Sequence, residues 1–450
     1  MMRNPEKIFR CPIHGSIKVF PHELRIINHP LFQRLRHLTQ LGFVYLIFPG
    51  ATHNRFLHSL GVLHLGDELF ENLFIRNNKF QSIFPESPQT IDRLGKLRKV
   101  FRLAALMHDI GHMPFSHVLE NRIPHLFDMS GIKAKIGVTE DLPHHELISL
   151  GCIDKIRQDI PEAYNAEECR AIISLISGEN LIPEYFKLKG ICFFKILHSF
   201  ISGEIDCDRM DYLLRDSHFC GVPYGKYDTN HLIRSVQWHV TSNNELAPVL
   251  MSYGLMTFES FLLARSQMIS QIYLHKTVLG FDHYLRQAME ENELKNIPTQ
   301  LDFEQLSSFV EPIFFTEIEK NSDKKWCSKI YHRIPPKKFL RLVNPTSEEL
   351  EELEELKQEL EKNKIEFFIL HNNNSLLNSE NAPLVVRDND LLDDPTSEYE
   401  LASPITMFLE HFRKKLEIAH LSIIPESYQD RQSIIKKIHK KWYPRFPHAI

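Results

Sequence analysis

Apolar residues recur at helical spacing through most of the first 290 residues, clearly so from Phe56 to Phe74 and again from Tyr253 to Leu285. The pattern predicts a mainly α-helical body. Extended pieces are expected at Ile17-Lys18-Val19 and from Phe43 to Phe48, the second closed by the turn pair Pro49-Gly50. After about residue 295 the texture changes. Pro335-Pro336 precedes a β-like run, Phe339 to Val343. Pro345-Thr346-Ser347 then opens an acidic helix whose Leu350, Leu353, Leu356 and Leu360 form one stripe. Ile365 to Leu370 is a second apolar run, so strand, helix and strand predict a small α/β subdomain. Residues 371–404, rich in Asn, Ser, Asp and Pro, read as a long loop, and 403–441 as a closing helical segment. The expected organisation is a helical core over 1–295 and a smaller α/β and helical portion over 296–450. The acidic run Glu348 to Glu361 reads as a solvated helix face.

Composition narrows the class. A chain of 450 residues, 43% hydrophobic, can bury a large core without covalent staples. Seven scattered cysteines with no CxxC pair predict reduced thiols in a cytosolic compartment. The polar start, Met1-Met2-Arg3-Asn4-Pro5-Glu6-Lys7, is unlike a secretory leader, and no apolar stretch is long enough to span a bilayer, so a cytoplasmic protein with no membrane partner is expected. A net charge of −5 gives no general attraction to nucleic acid, so a polyanion must be held by local cations.

The 25 histidines matter through their clustering. Arg55 and His58, three apart, share one face of a helix. An apolar helix, Leu103 to Met107, ends in the adjacent pair His108-Asp109, with Gly111 placed to turn the chain and His112 beyond it. A third segment, Glu204-Ile205-Asp206-Cys207-Asp208-Arg209-Met210-Asp211-Tyr212, continues through Arg215 and Asp216. A His-Asp dipeptide alone is commonplace. Two imidazoles and two carboxylates from these segments, His58, His108, Asp109 and Asp208, would make a borderline-hard N/O site suited to Fe, Mn, Ni, Zn or Co.

At these residues the sequence resembles the HD-domain phosphohydrolases, specifically the deoxynucleoside triphosphate (dNTP) triphosphohydrolases. The likeness runs from Pro12-Ile13-His14-Gly15 through Phe32-Gln33-Arg34-Leu35-Arg36 and Gln40-Leu41-Gly42 to the stretch Phe48–Val62. It continues in His108-Asp109-Ile110-Gly111-His112 with Pro114-Phe115-Ser116-His117, and in Asp206–Tyr212 and Tyr273-Leu274-His275-Lys276. It weakens beyond residue 300, and no sterile-alpha-motif domain is expected ahead of the core. The resemblance implies a helical HD core and one divalent transition metal per subunit on His58, His108, Asp109 and Asp208. Asp206 matches an acidic position that is not a ligand. The resemblance also implies Mg²⁺ with the substrate phosphates, and a homo-oligomer, dimer or tetramer. Arg55, Arg209 (a lysine in the family) and Arg265 match residues that hold the triphosphate. Gln40, with the adjoining Leu41, and Asp216 match groups that meet the sugar 3′-hydroxyl, and Tyr212 and Tyr273 match aromatics against the deoxyribose. His112 and His117 resemble catalytic histidines and His145 their support, with Glu120 where some relatives have Asp.

The resemblance has departures. Lys7, Arg36 and His275-Lys276 match a pocket between subunits where regulated relatives bind an activating nucleotide. Arg10, Cys11 and Asn28, however, replace that pocket's Asn, Asp and Asp, the last being the carboxylate that reads guanine. The expectation is activity that is constitutive or tuned by another nucleotide. Two other readings stand beside this one. The first is a binuclear HD nucleotidase or phosphodiesterase, with extra ligands from His144-His145. The second is a silent nucleotide sensor or nucleic-acid binder using Arg413-Lys414-Lys415, Lys436-Lys437 and Lys440-Lys441 beside Trp442 and Tyr443.

Overall fold

The computed structural model describes residues 7–120, 123–375, 384–386 and 415–446. Two compact units share the chain. The first holds Met1–Arg265, Ile297–Ile313 and Glu380–Pro404, and the second holds Ser266–Asn296, Phe314–Ser379 and Ile405–Ile450. The division therefore runs differently from a single break at 295/296. Within the second unit, Glu293 accepts the backbone N–H groups of Trp326 and Cys327, and Gly280 lies so close to the Pro336 ring that a Cβ there would overlap it.

In the first unit a hairpin of β1 (Lys7–Cys11) and β2 (Gly15–Val19) contains the expected Ile17-Lys18-Val19 strand. The core helix α1 (Arg55–Phe70) is capped by the Asn54 side chain, which accepts from Leu57 N at 3.2 Å, a contribution of about 1 kcal/mol. It is buried on nearly every side, which explains its weak amphipathic signal. Packed on it are α2 (Pro88–Met107), whose last turns are wholly buried, and α5 (Cys207–Cys220). Between these in the chain come α3 (His144–Asp159) and α4 (Ala166–Ser177). Strands β3 (Val236–Val240) and β4 (Leu246–Met251) form an antiparallel hairpin, followed by α6 (Leu255–Met268). Phe43 to Phe48 is not extended. Gly42 takes φ +51 and opens a 3-10 turn, Gly42–Leu46, in which the Phe43 ring stacks on Phe115 at 4.8 Å.

The second unit begins with the last residues of the long helical stretch, a π turn at Ile269–Tyr273 and α7 (Lys276–Glu290). Strand β5 (Lys337–Val343), the acidic helix α8 (Ser347–Lys362) and strand β6 (Phe367–Ser375) follow in the order the sequence predicts. The expected loop over 371–404 is corrected at both described places: β6 runs on to Ser375, and Leu384–Val386 forms a short strand, β7, paired with β4; the rest lies outside the described residues. The closing segment is also corrected. Residues 403–414 lie outside the described residues, and Lys415–Ile423 is a strand, β8, seated between β5 and β6 in an antiparallel sheet. The strand is buried from Ile418 to Ile423, and along it Ala419, Leu421 and Ile423 alternate with His420 and Ser422, the period of two that a strand imposes. Helix resumes at Pro425–Asp430 and in α9 (Gln432–Trp442). Leu353, Leu356 and Leu360 of α8 join Ala419, Leu421 and Ile423 of β8 and Ile435, Ile438 and Trp442 of α9 in one core, leaving the acidic face of α8 outward.

Candidate metal centre

Three helix ends deliver the candidate ligands. His58 stands one turn into α1. His108 closes α2 with Asp109 just after it, and Asp208 lies in the first turn of α5. One potential ligand atom from each of His58, His108, Asp109 and Asp208 falls within 4.8 Å of all the others. His58 Nε2 is 2.9 Å from Asp208 Oδ1 and 3.8 Å from Asp109 Oδ2. His108 Nε2 is 3.5 Å from Asp109 Oδ1 and 3.7 Å from Asp208 Oδ1.

The opposite ring nitrogens show how the imidazoles are aimed. His58 Nδ1 donates to Asp211 Oδ2 at 2.8 Å, and His108 Nδ1 donates to the Ala105 carbonyl at 2.9 Å. Each donation leaves the Nε2 lone pair facing the carboxylates, which is the tautomer a metal needs. The donor set fits a divalent transition ion. Without the ion, burial pulls His58 down, but the Asp208 and Asp211 carboxylates outweigh it and raise its pKa to about 10. Asp208 is held low against its burial by His108 and His58, and Asp109 against its own burial by His112, His108 and Arg55.

Asp211, 0% exposed, takes its role from the fold. It accepts from His58, from His14 Nε2 at 2.6 Å, and from Arg215 through a fork at 2.7 and 2.8 Å. Its place three residues after Asp208 on α5, with Arg215 four further on, is the signal in the sequence: one face of a helix carrying acid, acid and cation. Gly61 makes the approach feasible, because a Cβ there would overlap Asp211 Oδ1. Gly111 works in the same way and not by a positive φ. A Cβ there would overlap Ser149 N and the His145 carbonyl, so this glycine lets the His108-Asp109 turn press against α3.

In front of these ligands lies a cavity of about 370 Å³. Gln40, Arg55, His108, Asp109, His112, His145, Asp208, Arg209, Tyr212 and Arg265 line it, joined by Glu146 and by Ile176, Ile201 and Ser202. Arg55 donates to Asp109 Oδ2 at 2.5 Å and to Ser116 Oγ at 2.7 Å. Asp206 caps α5 by accepting from Arg209 N at 2.7 Å, and burial with Asp208 nearby pushes it up to about 6 despite Arg209. Arg209 and Arg265 both approach Glu204 Oε2, at 3.7 and 3.6 Å. His112 Nε2 is 3.3 Å from Asp109 Oδ1, and its ring stacks on His145 at 4.2 Å. Burial and Arg55 hold His112 well below the usual histidine range. His145 is raised against its burial by Glu120, whose Oε1 its Nδ1 meets at 2.9 Å.

Some expected residues stand elsewhere. Asp216 is 1% exposed, accepts from His53 Nε2 at 2.7 Å and is not part of the cavity lining. Leu41 precedes the 3-10 turn at Gly42 and is likewise not in the lining. Tyr273 belongs to the second unit, and the side chain of His117 lies outside the described residues. No helix among the described residues is long and apolar enough to cross a membrane.

Residues 55–176, from Arg55 through α4, match the HD domain family. That stretch, about a quarter of the chain, carries the His58, His108 and Asp109 positions of the cluster. Among the homologues of the chain is the deoxynucleoside triphosphate triphosphohydrolase SAMHD1 of Gallus gallus, 34% identical over 237 residues, covering 51% of this chain and 36% of that protein. An uncharacterized protein from Methanocaldococcus jannaschii is 30% identical over 292 residues, 65% of this chain and 51% of that one. The match thus spans about half the length of the archaeal relative. A crystal structure of a hypothetical protein from Aquifex aeolicus aligns with a TM-score of 0.72 at 25% identity, over 95% of this chain and 99% of that one.

Proposed function

We propose that this chain is a metal-dependent phosphohydrolase that converts a deoxynucleoside triphosphate and water into a deoxynucleoside and inorganic triphosphate. The observation that supports this most is the joining, in one cavity, of a His/Asp metal-type cluster with three arginines and a stacked histidine pair. A divalent ion held by His58, His108, Asp109 and Asp208 supplies Lewis acidity toward a phosphoryl oxygen and an activated water.

The protein's own groups do the rest. Arg55, Arg209 and Arg265 neutralise the phosphate tail, and Arg55 presents a planar fork already fixed by Asp109 and Ser116. Attack of a water oxygen on the α-phosphorus breaks the bond from that phosphorus to O5′, and the departing O5′ takes up a proton. His112 is placed to give that proton. Burial first and Arg55 second hold His112 low in the free protein, and the negative charge of a bound triphosphate beside it would favour the protonated form. His145, whose pKa Glu120 raises against its burial, stacks behind it. Gln40 and Tyr212 line the cavity where the sugar would lie. Assembly into a homo-oligomer and a cytoplasmic location belong to the same reading.

A panel of nucleotides and deoxynucleotides incubated with Mn²⁺, Mg²⁺, Fe²⁺ or Ni²⁺, with products separated by chromatography, tests this. Deoxynucleoside plus triphosphate is the expected pair. Release of only monophosphate or orthophosphate would overturn the regiochemistry.

A further inference from the structure

Phe115 and Ser116, just after the His108-Asp109 turn, take φ +56 and +51, a left-handed pair of non-glycine residues that is strained and persists only when something fixes it. What fixes it comes from beyond residue 295. The segment Ile297–Ile313 belongs to the first unit, where Leu301 N donates to the Leu126 carbonyl and the Phe303 ring lies where a Cβ at Gly151 would stand. At its end Glu311 is 3% exposed, and a single oxygen, Oε1, accepts from Phe115 N at 3.2 Å, Thr39 N at 3.0 Å and Thr39 Oγ1 at 2.9 Å.

Both arms of this contact lead into the cavity. Thr39 forms a β-bridge with Asn54, the cap of α1 immediately before Arg55, and is followed by Gln40, whose N–H donates to the His53 carbonyl. Ser116 Oγ accepts from Arg55 Nη2. The segment that holds the Arg55 backbone, through Leu38 and Thr39, and the one that holds its guanidinium, through Ser116, thus share one buried acceptor. Arg34 reinforces the arrangement, with Nη2 donating to the Ile110 carbonyl at 2.7 Å and Nη1 reaching the Phe309 carbonyl at 3.5 Å.

We propose that Glu311 is a positioning residue of the catalytic cavity: its Oε1 clamps the Thr39–Gln40 turn to the left-handed Phe115–Ser116 pair and through Ser116 sets the Arg55 guanidinium. The proposal rests on the reading of this cavity as the catalytic site. It asks for an acceptor oxygen in one place, not for a charge. Consistently, burial pushes Glu311 up to about 7, so the clamp is compatible with a neutral side chain.

The test uses the full chain in three variants, Glu311→Leu, Glu311→Asp and Glu311→Gln, each checked for folding and bound metal. Turnover of deoxynucleoside triphosphates with Mn²⁺ and hydrogen exchange of the peptides containing Thr39 and Phe115 are then measured. Leu, which removes the acceptor, and Asp, which withdraws it by one methylene, should keep their metal, lose about 10- to 100-fold in kcat and exchange faster at both peptides. Gln, which keeps the oxygen, should retain most of the turnover and the slow exchange. A merely structural carboxylate would lower Tm without this order. Folded, metal-loaded Leu and Asp variants with wild-type turnover, or unchanged exchange at Thr39 and Phe115, would overturn the proposal. If the wild-type chain hydrolyses no nucleotide, the functional reading fails while the exchange data still decide whether the clamp exists.

Discussion

Asp211 and Gly61 occupy what is nearly the same space: a Cβ on residue 61 would overlap the Asp211 oxygen that receives the proton of His14, while the other oxygen of that carboxylate receives His58 Nδ1–H. The carboxylate has nowhere else to go, because Arg215 grips both of its oxygens. The orientation of a candidate metal ligand therefore depends on a missing methyl group on its own helix.

Two substitutions should expose that dependence. Asp211→Asn deprives His58 of its carboxylate partner, and Gly61→Ala displaces it. Each is expected to weaken metal affinity by about 10- to 100-fold, the usual cost of losing a ligand's hydrogen-bonded support. Titration with Mn²⁺ or Zn²⁺ by calorimetry reads this directly, and wild-type affinity in both variants would show that the Asp211 contact does not orient His58.

The arginines of the cavity are not equivalent. Arg55 uses two N–H groups at once, on Asp109 and Ser116, whereas Arg209 meets the Gly203 carbonyl, Asp206 and Glu204 through one nitrogen, Nη1. A lysine has no fork, so Arg55→Lys should lower kcat/KM by about 10- to 100-fold, while Arg209→Lys should cost only a few fold. Steady-state kinetics on the two variants would contradict this if the order were reversed.

The pH profile carries the signature of the Glu120–His145 pair. Glu120 raises His145, so the histidine keeps its proton to higher pH than an ordinary imidazole, and activity that relies on that proton falls only as pH climbs past the raised value. Glu120→Gln removes the carboxylate that raises it. The alkaline limb of kcat/KM should therefore move to lower pH, with metal content unchanged; a limb that stays in place would remove His145 from the reaction.

Control by GTP is not expected. Cys11, where regulated relatives have Asp, is buried with its sulfur 3.5 Å from Arg215 Nη2. Asn28, where they carry the guanine-reading carboxylate, ends the helix Pro21–Ile27 and offers one acceptor oxygen in place of two. Turnover of a single deoxynucleoside triphosphate should proceed without added GTP, and a strict requirement for it would show that the pocket reads guanine by other groups.

The sequence exposes part of this arrangement and conceals the rest for physical reasons. Three segments rich in His, Asp and Arg could be read directly, because such side chains have little reason to cluster on apolar helices unless they meet. Asp211 could have been found from its spacing after Asp208, but a buried acid that supports a ligand looks the same in sequence as one on a solvated face. Glu311 carried no signal at all, since it acts through backbone N–H groups that every residue possesses. The strand Lys415–Ile423 is legible in the alternation of Ala419, Leu421 and Ile423 with His420 and Ser422, a period of two that a helical reading of the whole closing segment overrides. The Phe43 to Phe48 run reads as extended because aromatic and β-branched residues favour strands, and the positive φ at Gly42 that turns it is invisible in composition.

The central claim is that His58, His108, Asp109 and Asp208 meet around one cation that the reaction requires. Metal analysis of purified wild type, Asp208→Ala and His112→Ala, paired with turnover on the same samples, tests it most directly. Asp208→Ala should lose both metal and turnover, and His112→Ala should keep its metal and lose about 10²- to 10⁴-fold in rate. An Asp208→Ala protein that still carries its ion and hydrolyses nucleotides at the wild-type rate would contradict the account.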